Sequence, residues 1–162
     1  MMATPARELL QESAHAQDLD SAVEEVFRLM MGANCAPAEE YVFGNNETIT
    51  AVIGLAGAMS GACTLRCGMD AALRMAECMV GVRPAELDDM VKDAIGEVCN
   101  MVAGAWKGKH PVLASGCMLS TPAVVTGTNY QLHMQQPEFR IDRSYRFEEH
   151  AVNISIVCES IQ

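Results

Sequence analysis

Basic residues are scarce in this sequence. Its 162 residues include 11 Lys and Arg against 21 Asp and Glu, so the formal net charge is −10. Such a field repels phosphate backbones and anionic membrane surfaces, and nucleic acid is therefore not an expected partner. Long apolar runs are also absent: none approaches the roughly 20 residues that span a bilayer, and the N-terminus has no apolar core segment. We expect a cytoplasmic protein with no membrane partner.

Cysteines in metal-binding spacing are missing as well. The seven Cys are odd in number and include neither a CxxC pair nor a Cys/His cluster at zinc spacing. This argues against a disulfide framework and against a structural metal site. Cys63 and Cys67 fall on one face of a predicted strand, about 13 Å apart, which is too far for a disulfide. We expect reduced thiols and no bound metal, although a redox sensor that uses the cysteines remains one functional alternative.

What the sequence does contain is the composition of an ordinary globular protein. Half of the residues are apolar and a fifth are charged. A chain of this length buries about 70% of its extended surface on folding. We therefore expect a single domain over residues 1–162 with one core.

The predicted helices and strands come in blocks. Some segments show helical periodicity and end at a glycine, and others have an apolar residue at every second position. This grouping favours an α+β fold, with helices packed on a mostly antiparallel β-sheet, over a doubly wound fold. The helices are predicted at 6–31, 70–81 and 84–107, a loop at 33–46, and strands at 48–55, 61–67, 115–120, 123–134, 139–148 and 152–158.

The predicted helix 84–107 carries a polar stripe. Asp93, Glu97 and Asn100 are spaced i, i+4 and i+7, which places them on one face at about 100° per residue. Asp89 and Gly104 continue the stripe, and the glycine leaves room for a close approach. The opposite side is apolar and is predicted to face the core through Ile95, Val98, Val102 and Ala105.

The segment 93–104 resembles the signature of the CheC/CheX/FliY phosphatase family. That signature has Asp or Ser, three residues, Glu, two residues, Asn, and a Pro about 22 residues later. Here Pro122 follows Asn100 after 21 intervening residues. The predicted order of elements is similar to that family over nearly the whole chain.

A faint internal duplication supports the resemblance. Residues 25–33 parallel residues 97–105, sharing Glu, Val, Gly and Ala at a constant offset of 72. The first copy has Arg28 where the second has Asn100. One complete Glu/Asn pair resembles the CheX branch rather than CheC, which has two sites.

The resemblance implies a function and a role for each residue of the motif. The chain would remove the phosphoryl group from the aspartate of a phosphorylated CheY-like response regulator. Asn100 and Glu97 would be catalytic, the first orienting the attacking water and the second pairing with a lysine of the receiver. Asp93 and Gly104 would contact the partner, and Pro122 would be structural beside the site. The family also implies a homodimer formed across sheet edges, no cofactor bound by this chain, and a Mg²⁺ ion carried by the receiver.

Other interpretations remain open from the sequence. The same fold could be a non-catalytic module that binds a receiver or a motor component. Cys99 lies next to the proposed catalytic residue, but an inert buried thiol is favoured over a nucleophile, since no charged partner is apparent. Trp106 is expected to be packed in the core.

Overall fold

The computed structural model of the chain describes residues 16–162. The first part of the predicted helix 6–31 therefore lies outside the described residues. Within residues 16–162 there are four helices and seven strands. The helices are α1 (Ala16–Met31), α2 (Met69–Val80), α3 (Asp89–Gly108) and α4 (Pro111–Gly116); the strands are β1 (Cys35–Pro37), β2 (Thr48–Gly57), β3 (Met59–Gly68), β4 (Cys117–Leu119), β5 (Ala123–Gly127), β6 (Phe139–Phe147) and β7 (His150–Ile161).

All strand pairs of this part of the chain are antiparallel. The sheet order is β1-β6-β7-β3-β2-β4, and β5 also pairs with β2. The predicted hairpin is present as β2 and β3, joined at Ala58. The strand predicted at 152–158 is β7, which lies between β3 and β6 and has no free edge along most of its length. The predicted fold class, helices packed on an antiparallel sheet, is confirmed.

The core lies between the helices and one face of the sheet. Alternation along β2 turns Ile49, Ala51 and Ile53 toward the helices, where all three are fully buried. From the other side, the apolar face of α3 contributes a row of residues that are also fully buried. Burying each of the aliphatic side chains in this row contributes about 1.5–3 kcal/mol, so this layer fixes α3 on the sheet. That row is Ile95, Val98, Val102 and Trp106.

Glycines end two helices where the sequence predicts it. Gly32, with φ +64°, follows α1, and its N–H donates to the carbonyl of Arg28 at 3.0 Å. Gly81, with φ +91°, follows α2 in the same way and donates to Glu77. A residue with a Cβ is strained at such dihedrals, which explains the glycine at both helix ends.

The predicted start of the third helix is wrong. Residues 84–88 are not helical, and α3 begins at Asp89. Asp88 precedes it with extended dihedrals, and its carboxylate Oδ1 accepts a hydrogen bond from the N–H of Val91 at 3.0 Å. Asp is a preferred residue at this capping position because its side chain satisfies a free N–H of the first turn. Asp88 is thus the cap of α3, and residues 84–87 belong to the preceding loop.

Two strand predictions and one loop prediction also need correction. The chain after Pro111 forms the short helix α4 before β4, because proline is favoured in the first turn of a helix. The predicted strand 123–134 ends at Gly127, whose φ of +151° breaks the ladder. The predicted loop 33–46 contains β1, a short strand held by pairing with β6.

In residues 16–162, no helix has both the length and the hydropathy needed to cross a bilayer.

Candidate functional site

The predicted polar stripe lies on the outward face of α3. Asp93 and Glu97 are exposed and Asn100 is half-buried. None of the three makes a side-chain hydrogen bond or ion pair with another residue in 16–162. Their carboxylate and carboxamide groups are therefore available to a molecule that approaches this face.

The outward direction of the stripe follows from the packing of α3. Val98 and Val102, which lie on the opposite side of the helix, are fully buried against the sheet. A rotation of the helix that buried Glu97 would expose these valines to water, and each would lose about 1.5–3 kcal/mol of burial. The amphipathic pattern thus holds Glu97 and Asn100 at the surface together.

Pro122 lies directly beside the stripe, against Gly96. A Cβ placed on Gly96 would come within 3.0 Å of Pro122 Cβ, so the proline ring occupies the space next to the helix backbone. Gly96 is the residue immediately before Glu97. The sequence predicts Pro122 as a structural residue beside the site, and that role stays a prediction; the structure shows its ring in contact with the helix at Gly96.

A bulge in the edge strand positions Pro122. Between β4 and β5, residues 120–122 lie opposite only residues 53–54 of β2. Ser120 N–H donates to the Gly54 carbonyl at 2.9 Å, and the Gly54 N–H donates to Ser120 Oγ at 2.8 Å. An extra residue bends the bulged strand locally, and here the bend carries Pro122 over α3.

Gly104 lies further along the stripe and is partly open. A Cβ at this position would meet only Leu119 Cδ1, at 4.0 Å, which is an ordinary van der Waals contact. The absence of a side chain therefore leaves a shallow surface next to Asn100. The role predicted for Gly104, to allow a close approach of a partner, stays a prediction.

Cys99 points away from the stripe into the core. It is fully buried, and its thiol donates to the carbonyls of Cys63 at 3.5 Å and Ala51 at 3.8 Å. The contact with the Cys63 thiol, together with burial, raises the pKa of Cys99 well above its usual value. A thiolate is the reactive form of cysteine, so this geometry agrees with the predicted inert thiol. Cys63 and Cys67 are likewise free and buried on the helix-facing side.

Three residues that support the site were not singled out by the sequence analysis: Gly54, Gly96 and Ser120. An interior helix glycine costs about 1 kcal/mol relative to alanine, so Gly96 beside Glu97 was a signal of close packing. Nothing local in the sequence marks Gly54 or Ser120, because their roles depend on pairing between distant strands.

Metal-binding residues do not converge at this site. Within residues 16–162 no group of three or more His, Cys, Asp or Glu side chains has an arrangement that could hold a metal ion. The stripe offers two carboxylates and one carboxamide on a convex helix surface.

Comparison with known proteins identifies the family. The model of the family described as "Chemotaxis phosphatase CheX" matches residues 49–142, which is more than half of the chain and includes the whole of α3 and Pro122. The chain belongs to this family.

Individual relatives agree with the assignment. A Thermotoga maritima protein named CheY-P phosphatase CheX is 29% identical over 87 residues, which cover 53% of this chain and 56% of the relative. The chain thus spans about half the length of the curated relative that it matches.

Solved structures show the same fold. The chemotaxis protein CheX from Vibrio vulnificus is 24% identical, with a TM-score of 0.76 over 88% of this chain and 95% of that one. A chain of the CheX–CheY–BeF3–Mg complex from Borrelia burgdorferi is 19% identical, with a TM-score of 0.73 over 89% and 97%.

Proposed function

We propose that this protein is a phosphatase that hydrolyses the aspartyl phosphate of a phosphorylated CheY-like response regulator. The observation that carries the proposal is the placement of Glu97 and Asn100 side by side on the exposed face of α3, with no partner among residues 16–162. Because both side chains are open to solvent and unpaired within the described residues, no contact of the fold has to be broken before they reach a partner.

The family and its members support this function. The matched family is described as a chemotaxis phosphatase, and the Thermotoga relative is named for CheY-P as its substrate. The Borrelia neighbour, which has a similar fold, is described in complex with CheY. A phosphorylated receiver is therefore the substrate that we assign to the stripe.

Asn100 is the residue that we place next to the attacking water. A carboxamide both accepts and donates hydrogen bonds, so it can hold a water molecule in line with the bond from phosphorus to the aspartyl oxygen. Attack of that water on phosphorus breaks this bond, returns the aspartate as a carboxylate and releases inorganic phosphate. The receiver supplies the Mg²⁺ ion and a lysine, and this chain contributes no cofactor. The contribution of this chain is to position the attacking water.

Glu97 is the anchor of the proposed complex. It lies one turn before Asn100 on the same face, where its carboxylate pairs with the lysine of the receiver. Asp93 lies one turn further and extends the contact. Gly104 admits the receiver close to the helix, and Pro122 packs against the helix at Gly96, next to Glu97.

A phosphate-release assay tests the proposal. Wild-type protein should accelerate the loss of phosphate from a phosphorylated receiver, and Asn100→Ala should lower the rate roughly 100-fold while binding is retained. Glu97→Gln should instead raise KM more than it lowers kcat, because an ion pair of the complex is lost. Arg28→Ala, at the corresponding position of α1, is the matched control and should behave as wild type.

Two outcomes would contradict the phosphatase. If wild type binds the receiver but does not accelerate hydrolysis, the chain is a non-catalytic binding module. If Asn100→Ala keeps full activity, the hydrolytic site lies elsewhere. A test of the purified Asn100→Ala fold by circular dichroism separates loss of the amide from loss of structure.

The same proposal includes a cytoplasmic location, where receivers are found, and a homodimer. Backbone groups on the free side of β6, at residues 139–143, have no strand partner among residues 16–162. A second copy could continue the sheet there without covering α3, which packs nearest to β2 at the other end. Sedimentation equilibrium over a range of concentrations measures whether the dimer forms.

A further inference from the structure

The face of the sheet opposite the helices carries a cleft that the proposed phosphatase does not use. Two connections cross this outer face: residues 38–47 between β1 and β2, and residues 128–138 between β5 and β6. The cleft between them has a volume of about 680 Å³, within the range of small-molecule sites. Its floor is formed by outward side chains of β2, β3, β6 and β7.

One cation in the cleft has no carboxylate partner. Arg140 is paired with Asp142 at 2.6 Å, and Arg143 is paired with Asp20 at 2.7 Å. Arg66 makes no ion pair with any residue in 16–162. Acidic residues outnumber basic ones in this chain, whose net charge is −10. An arginine that lies in a cleft without an acidic partner is therefore a candidate to bind an anion.

Arg66 is also held in place by contacts that leave its two terminal nitrogens open. Its Nε donates to Thr48 Oγ1 at 3.2 Å, and its guanidinium carbon lies 4.7 Å from the ring centre of Tyr130 and 5.5 Å from that of Phe43. The Tyr130 hydroxyl is itself hydrogen-bonded to Thr48 at 2.9 Å and to Thr50 at 2.5 Å. The arginine is thus immobilised before any ligand arrives, which lowers the entropic cost of binding.

A second free donor lies next to Arg66. Thr64 is two residues earlier on β3, so both side chains point to the outer face, about 7 Å apart along the strand. Thr64 lines the cleft and its hydroxyl has no hydrogen-bond partner in the described part of the chain. Most other hydroxyls of the floor are already satisfied; Ser155, for example, donates to Asp142.

We infer that this cleft binds a small organic anion through Arg66, with Thr64 as a second donor. The open edge of a guanidinium matches the two oxygens of a carboxylate or a phosphate ester, with which it forms two parallel hydrogen bonds. Glu40, an exposed acid on the cleft wall with no partner in residues 16–162, disfavours ligands of high negative charge. The cleft therefore selects an anion of low charge.

Anion titrations followed by ¹H–¹⁵N NMR test the inference. Benzoate and phenyl phosphate are the probes, since they share an aromatic body and differ only in the anionic group; ionic strength is kept constant. Shifts should localise to Thr64, Arg66 and Tyr130, and the relative affinities decide between a carboxylate and a phosphate ester. Arg66→Gln should weaken binding about tenfold or more, as expected for a lost hydrogen bond to a charged group.

Two further variants keep the test decisive if Arg66→Gln disturbs the fold. Thr64→Val should weaken binding about threefold through loss of a neutral hydrogen bond. Glu40→Gln should strengthen it about twofold, because a nearby negative charge is removed. Arg146→Gln is the matched control: this exposed arginine of β6 lies outside the cleft and should not affect affinity.

The inference is overturned if neither probe shifts these resonances up to tens of millimolar, or if Glu40→Gln weakens binding. It does not depend on the phosphatase proposal, because the cleft and α3 lie on opposite faces of the sheet. Failure of anion binding leaves phosphate release by Glu97 and Asn100 unaffected. Each result can therefore be read separately.

Discussion

Gly96 and Gly104 of α3 have different surroundings, so alanine should affect them differently. In a helix interior, alanine is favoured over glycine by about 1 kcal/mol. At Gly104 the new methyl group meets only Leu119 at 4.0 Å, whereas at Gly96 it meets Pro122 at 3.0 Å. Overpacking of this kind costs about 1–3 kcal/mol. We expect Gly104→Ala to have a higher free energy of unfolding than Gly96→Ala by about 1–3 kcal/mol, measured by urea denaturation.

The two glycine variants should also separate stability from function. Gly96→Ala pushes on Pro122 beside Glu97, and Gly104→Ala adds a methyl group where the receiver is proposed to approach. We expect both to reduce phosphate release although only the first loses stability. Equal stabilities of the two variants would mean that Pro122 yields freely and does not buttress the helix.

At this scale the sequence predicted the exposed residues better than the buried contacts. The positions of Asp93, Glu97 and Asn100 follow from the helical repeat alone, because three residues on one helix need no information from elsewhere. The contact of Gly96 with Pro122 joins residues 26 positions apart in sequence. It depends on which strand lies against α3, and local periodicity does not contain that information.

At the scale of elements, the cap of α3 offers a direct test. Asp88 Oδ1 accepts from Val91 N–H, and this bond fixes where the helix that carries the site begins. Loss of such a cap costs about 1 kcal/mol. We expect Asp88→Ala to lower the free energy of unfolding by about that amount, and Asp88→Asn, which retains an acceptor oxygen, to lower it less.

The neighbouring Asp89 provides the control for the cap. It lies in the first turn of α3, where a carboxylate interacts only with the helix dipole, a smaller contribution of about 0.3–1 kcal/mol. Asp89→Asn should therefore be milder than Asp88→Ala in the same denaturation series. The reverse order would place the helix start one residue later than the structure does.

The elements that the sequence missed are short or depend on distant partners. The segments that form α2, α3 and the β2–β3 hairpin have strong periodicity. The sequence predicts them with errors mainly at their ends. By contrast, β1 has three residues and exists because it pairs with β6, and α4 has six residues. Sequence patterns of this length do not distinguish helix, strand and loop.

At the scale of the whole molecule, the sheet separates two surfaces. The helix-covered face carries the Glu97/Asn100 stripe, and the outer face carries the Arg66 cleft. Only the first could be predicted, since the cleft walls come from segments about 90 residues apart whose meeting is set by the strand order. The internal duplication stays a prediction, although its two copies fall on α1 and α3, which pack against each other.

His110 should make the stability of the whole protein depend on pH. Its side chain is 6% exposed, Nε2 has no hydrogen-bond partner, and the ring packs against Trp106 at 5.1 Å. Burial lowers the pKa of His110; the nearby Lys109 acts in the same direction, and Asp18 of α1, 3.8 Å away, opposes them.

The sign of this effect follows from proton linkage. In the unfolded chain His110 has a pKa of about 6.5, so below that pH the unfolded state binds a proton that the folded state does not. Stability should therefore fall as pH is lowered through about 6.5 toward the lower pKa of the folded state. His110→Phe removes the titrating group and keeps a ring against Trp106. We expect this variant to lose less free energy of unfolding than wild type between about pH 7 and about pH 5, measured by denaturation at each pH.

An exposed histidine serves as the control for His110. His133 lies in the connection between β5 and β6, is exposed and makes no hydrogen bond or ion pair within residues 16–162, so His133→Asn controls for the removal of a histidine that supports no contact of the fold. Burial raises the pKa of Asp142, but hydrogen bonds from Arg140 and Ser155 together with the charge of Arg140 outweigh it and leave that pKa below its usual value; such carboxylates act at lower pH and are common to all variants. If His110→Phe follows the wild-type curve, the ion pair with Asp18 compensates the burial of the imidazole, and protonation of His110 does not destabilise the fold.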